Sequence, residues 1–172
     1  MRRISLLVPA VLVAGLALVV TGGATAKRPA LSATPVFRLV LKPSQETPPI
    51  KGLRADAVGN VTFDLERSSA GAITSGEVIF YFNYRFPGSV TITGLHIHQG
   101  AKGVAGPIVV SSGIASFTDA DGQGNVTAVV TGTSPATLQA ILDHPRDYYV
   151  NLHTSVNPSG ALREQMHNAR PR

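Results

Sequence analysis

Hydrophobic and polar residues alternate with a period of two along much of this chain. Val61, Phe63 and Leu65 alternate with Thr62, Asp64 and Glu66 between Asn60 and Arg67. That is the pattern of a strand with one buried face. Val78, Phe80, Phe82 and Tyr84 share one face of a second strand over Glu77–Phe86, and Pro87-Gly88 closes it. Phe37, Leu39 and Leu41 mark a strand over Val36–Lys42. Further strands are predicted at Val90–His98, with a break or bulge at Gly94, and at Ile108–Ser111, Ile114–Phe117, Asn125–Thr131, Asp147–Thr154 and Ala161–His167. Lys42–Gly52 contains Pro43, Pro48 and Pro49 and reads as an extended loop or edge. Gly100–Gly106 is a glycine-rich loop, and Ser68–Gly71, Asp119–Gly124 and Asn157–Gly160 are turns. One helix is predicted, with Ser134 as N-cap, Pro135 at its first position and Leu138, Ile141 and Leu142 as its apolar stripe. Short strands separated by Gly/Pro turns indicate an all-β fold, an antiparallel sandwich or barrel with one short helix.

The first residues break this pattern. Arg2 and Arg3 precede an apolar run, Ile4–Val20, and a small-residue stretch ending Ala24-Thr25-Ala26. This is the layout of a secretory signal peptide over residues 1–26. An uncleaved anchor is the rival reading, since the apolar run is about 17 residues, near the lower limit for crossing a bilayer. Membrane contact is expected only through this segment if it stays uncleaved. The expected division is then a disordered lead-in at 27–35, one domain at 36–168 and a tail at 169–172. The expected location is secreted or otherwise extracytoplasmic.

Composition narrows the chemistry. The formal net charge is +5, but Arg2, Arg3, Lys27, Arg28, Arg170 and Arg172 sit at the ends. There is no basic cluster interleaved with aromatics, so nucleic acid is not an expected partner. The chain has no Cys. This removes thiol nucleophiles, cysteine zinc sites and disulfides, and leaves stability to the core.

Two histidine segments carry the candidate chemistry. In Leu95-His96-Ile97-His98 a strand places His96 and His98 on one face and Leu95 and Ile97 on the other. In Tyr149-Val150-Asn151-Leu152-His153, residues Tyr149, Asn151 and His153 share a face. Three neutral imidazoles with an open position suit copper or zinc. The alternative is structural: the histidines hydrogen-bond loop backbone and hold the glycine-rich segment. Glu46 reads as a partner for Arg163 or a cap on a neighbouring strand. Arg163 reads as a conformational clamp, and Asn151 lies on the histidine face. Asp119 and Asp121 form half of a calcium loop without its later ligands, and read as a turn. No Gly-x-Ser-x-Gly elbow is present.

Taken together, these segments resemble the CHRD domain, the unit named for chordin and also found singly in exported bacterial proteins. The resemblance rests on Glu46-Thr47-Pro48-Pro49, on His96-Ile97-His98 followed by Gly100, Gly103 and Gly106-Pro107, and on Tyr149–Thr154 followed by Pro158-Ser159-Gly160 and Leu162-Arg163. Glu164 stands where that family usually has Gly, which questions close backbone packing there. The His-x-His strand and its glycine-rich loop are also similar, over a few residues, to the copper-binding strand of copper/zinc superoxide dismutases. The other ligands and the cysteine pair of that family do not appear. The resemblance implies an antiparallel β-sandwich of immunoglobulin-like or superoxide-dismutase-like Greek-key type. It also implies a non-enzymatic extracytoplasmic binding or structural module, with a protein, glycan or metal as ligand. The alternative is a copper- or zinc-binding protein using His96, His98 and His153, with possible oxidoreductase activity.

Overall fold

A computed structural model describes residues 34–167 and 169–171. The expected signal segment and all but the end of the lead-in lie outside these residues. Among the described residues no helix is long and apolar enough to cross a membrane.

The strands are β1 (Pro35–Leu41), β2 (Asp56–Arg67), β3 (Ile73–Arg85), β4 (Val90–Gln99), β5 (Ile108–Ser111), β6 (Phe117–Asp119), β7 (Gln123–Val130), β8 (Tyr148–Thr154), β9 (Leu162–Gln165) and β10 (Arg170–Pro171). They form two antiparallel sheets. The first runs β10-β1-β2-β3-β7; the second runs β5-β4-β8-β9, with β6 also pairing β4. This is an all-β sandwich with one short helix. The strands expected from alternation are present, with shifted ends. The exception is Ile114–Phe117, whose expected strand lies instead at Phe117–Asp119, where Val90–Ile92 offer it partners. Arg170–Pro171, expected to be tail, pairs with the start of β1.

The inner faces follow the alternation. Phe37, Leu39, Val61, Phe63, Val78, Phe80 and Phe82 from the first sheet meet Ile92, Leu95, Ile97, Val150, Leu152 and Leu162 from the second. Phe37 and Phe63 meet edge to face at 5.5 Å between ring centroids. Each such aromatic or aliphatic side chain contributes about 1.5–3 kcal/mol by leaving water. Helix α1 (Pro135–Asp143) is capped by Ser134, whose Oγ accepts from the Thr137 amide at 3.1 Å. It buries Leu138 and Ile141 against the sandwich, while Leu142 is only half-buried.

One irregularity in β4 decides where the chemistry lies. The β4–β8 register shifts between Ile92 and Gly94, so Ile92 faces Thr154 while Gly94 faces His153. An unbroken strand would put Ile92, His96 and His98 on one face. The extra residue reverses that parity. Ile92, Leu95 and Ile97 all enter the core, and His96 and His98 go to the outer face.

Candidate metal centre

The outer face of the second sheet is roofed rather than bare. Every residue of β8 is buried. The β4–β8–β9 register sets His96 beside Asn151 and Arg163, and His98 beside Tyr149 and Gln165. Three loops cover this polar layer: the segment around Glu46 and Thr47, the glycine-rich loop at Gly100–Pro107, and the turn at Asn157–Gly160.

The side chains hold the roof through its backbone. Arg163 donates from Nη2 to the carbonyls of Ala101 (3.1 Å) and Val104 (3.0 Å), and from Nη1 to Thr47 Oγ1 at 3.3 Å. Gln165 Nε2 donates to the carbonyls of Gly100, Arg146 and Tyr148. The Gly106 amide donates to the Tyr149 hydroxyl at 3.1 Å. Buried polar groups need such partners, and here both sides of each bond are satisfied at once.

His96, His98 and His153 meet under this roof, with one ligating atom from each lying within 4.8 Å of the others. His98 sets its Nδ1 against the Gly106 carbonyl at 2.9 Å, and His153 sets its Nδ1 against the Pro158 carbonyl at 3.0 Å. A carbonyl can only accept, so each Nδ1 carries the proton and each Nε2 is left with a free lone pair. The two Nε2 atoms face each other at 3.3 Å. Two nitrogens bound to one tetrahedral zinc at 2.0–2.1 Å stand about 3.3 Å apart. The arrangement typical of ligating histidines, a ring N–H fixed on a carbonyl, is therefore present twice.

His96 is held differently. Its ring lies over Gly94, where a Cβ would come within 2.6 Å of its Cε1. Glycine at 94 thus makes room for the third imidazole as well as the bulge. Its Nδ1 is buried without a hydrogen-bond partner, although the residue as a whole is half-buried. Burial, then the neighbouring His153 and His98, lowers its pKa to about 4. Burial also lowers the pKa of His98 and of His153, against the raising effect of their carbonyl partners. The three rings are kept neutral, the form that ligates a metal.

A stack supports one side of the cluster. The Tyr149 ring lies 4.9 Å from the His98 ring and tilted by only 9°, and the Arg163 guanidinium carbon sits 3.4 Å over the other face of Tyr149. Tyr149 lies on the histidine face, as the strand parity predicts, and here it is the platform for the His98 ring. Its parity with Asn151 and His153 was the available signal. Glu46 does not form the expected ion pair with Arg163. Its Oε2 lies 3.5 Å from Asn151 Nδ2, while its Oε1 and Asn151 Oδ1 are buried without partners. Burial raises the Glu46 pKa to about 7, opposed by Arg163, Asn151 and the Thr47 amide. Asn151 also fills the space beside Gly160, which has a φ of +133° and where a Cβ would come within 2.3 Å of Asn151 Nδ2. Glu46, Asn151 and Arg163 thus form a polar group beside the histidines. His144 ends α1, and His167 is exposed beside Glu164 at 3.2 Å. Glu164 does not disturb β9: it pairs with Val150 in register, and its carboxylate accepts from Gln45.

The CHRD domain profile matches residues 37–166, which span both sheets, the roof and the histidine cluster. The chain belongs to the CHRD family. No curated protein and no solved structure matches it. At family level CHRD membership supports a non-enzymatic module, and here the module is a sandwich with one outer face roofed over three histidines.

Proposed function

We propose that this CHRD domain is an extracytoplasmic module that binds one copper or zinc ion through His96, His98 and His153. The observation that carries the reading is the pair of Nε2 atoms facing each other at 3.3 Å, each on a ring anchored through Nδ1 to a backbone carbonyl. Those three contacts call for three protons, and two neutral rings bring two. Something positive belongs between the rings. Burial opposes an imidazolium there, and a metal ion satisfies both lone pairs. The ligand set is three neutral nitrogens, with no thiolate or carboxylate, which suits copper and zinc over magnesium or calcium. The extracytoplasmic location rests on residues 2–26 of the sequence.

A second reading has its own support. Arg163, Gln165 and the two histidine Nδ1 groups all bond roof backbone. That favours a structural module in which the polar layer shapes a surface for a protein or glycan partner. Metal content separates the two. Untagged protein incubated with copper or zinc and desalted should carry one ion per chain by mass spectrometry, and His98→Ala should lose it. Metal-free protein with unchanged melting temperature returns the cluster to the structural reading.

A further inference from the structure

The three ligands are not equivalent. His98 and His153 are each pinned by a backbone carbonyl at Nδ1, which aims their two Nε2 atoms at one point. Both are buried, at 7% exposure. The Tyr149–Arg163 stack further restrains His98. His96 has no carbonyl partner and no Tyr149–Arg163 stack, although its ring packs 4.8 Å from that of His153 and 5.7 Å from that of His98. Its Nδ1 has no partner, it is half-buried, and no side chain occupies position 94 to stop its ring from swinging. Two ligands are thus preorganised at the spacing one ion needs, and the third is free to close or open.

We infer that His96 is the exchange ligand of the site, so that the domain passes its ion to an acceptor instead of locking it in place. This rests on the metal-binding reading above. The step is a ligand substitution. A nitrogen or sulfur donor from the acceptor forms a bond to the ion as the His96–metal bond breaks. The His96 ring leaves neutral, the oxidation state is unchanged, and His98 and His153 hold the ion until a second acceptor donor arrives. The partner is defined by chemistry: a protein or small ligand offering imidazole, thiolate or thioether donors that can reach the exposed side of His96. A site built for permanence has every ligand fixed by an outer partner, and loss of such a partner typically costs 10–100-fold in affinity. Here one ligand lacks it from the outset.

Transfer kinetics test this. Zinc-loaded protein is mixed with increasing concentrations of a chromogenic zinc chelator, and colour is followed by stopped flow. The expected result is a transfer rate that rises with chelator concentration, because the incoming donor takes part in the step. His96→Ala should still load one zinc and should transfer it roughly 10-fold faster or more, with apo melting temperature close to wild type. His96→Gln, which keeps a polar side chain, serves the same comparison if the alanine variant folds poorly. His153→Ala should fail to hold zinc through desalting. A wild-type rate independent of chelator concentration overturns the inference, because the ion then leaves unaided. So does loss of zinc loading in both His96 variants, or transfer from them no faster than wild type. Wild-type protein that takes up no zinc and no copper fails at the loading step, which overturns the metal reading itself.

Discussion

The two sheets present opposite outer faces. The outer face of the first sheet is open to water: Val40, Val58, Tyr81 and Val129 are 40–55% exposed, among Asn60, Thr62, Asn83 and Thr127. The outer face of the second carries residues usually found at the surface, yet Asn151 and Arg163 are 2% exposed and His98 and His153 are 7%. Composition does not separate the faces, since both are polar with some apolar residues. The difference is the roof. Loops at 46–49, 100–107 and 157–160 close over the second face, and every polar side chain beneath must then find a partner. For Arg163, Gln165, His98 and His153 the partners include carbonyls of those loops, whereas His96 Nδ1, Glu46 Oε1 and Asn151 Oδ1 have none. Imidazoles held neutral, two of them buried and aimed by carbonyls, follow from that closure, which is why the candidate site lies on this face and not on the other.

Substitutions can break the contrast. Arg163→Ala should have the largest effect on stability. It strands the Ala101 and Val104 carbonyls, removes the stack on Tyr149, and should cost about 3 kcal/mol or more in urea unfolding. Gly160→Ala comes next, since its φ is +133° and the added methyl would come within 2.3 Å of Asn151 Nδ2. A loss of about 1–3 kcal/mol is expected. On the open face, Val58→Thr should change stability by less than about 0.5 kcal/mol. Comparable losses on the two faces would erase the distinction.

The pH dependence sharpens it. Glu46 has a folded pKa raised from 4.5 to about 7, so the stability tied to its protonated form is present below 4.5 and lost as pH rises through 7. The histidines run the other way. With folded pKa values lowered from 6.5, their contribution is present above 6.5 and lost as pH falls, for His96 through about 4. Glu46→Gln removes only the first trend. Its melting temperature should exceed wild type at pH 8 and match it at pH 4. Equal differences at both pH values would mean that Glu46 carries no such linkage.

Much of this was legible in the sequence because it depends on local pattern. The alternation of Val61, Phe63 and Leu65, the Ser134-Pro135 cap and the shared parity of Tyr149, Asn151 and His153 are statements about neighbours in the chain. Gly94 marked the bulge. What pattern could not show was that Leu95 and Ile97 in the core still leave the opposite face buried. That depends on loops distant in sequence folding back, and on carbonyls of Gly106 and Pro158 whose roles have no residue-type signature. The same limit applies to Glu46. Its charge suggested Arg163 as partner, yet Arg163 had already committed its donors to loop carbonyls, and Asn151 was nearer. The short strand at Phe117–Asp119 was misplaced because hydrophobicity favoured Ile114, while the hydrogen-bonding edge lay at Val90–Ile92.

Whether zinc sits between His98 and His153 is read most directly by nitrogen NMR of protein carrying ¹⁵N-labelled histidine, recorded before and after one equivalent of zinc. His98 and His153 should keep their protons on Nδ1 throughout, and zinc should shift their Nε2 resonances to the metal-bound range. Zinc addition that leaves both Nε2 resonances unmoved, or that shifts Nδ1 instead, would contradict it.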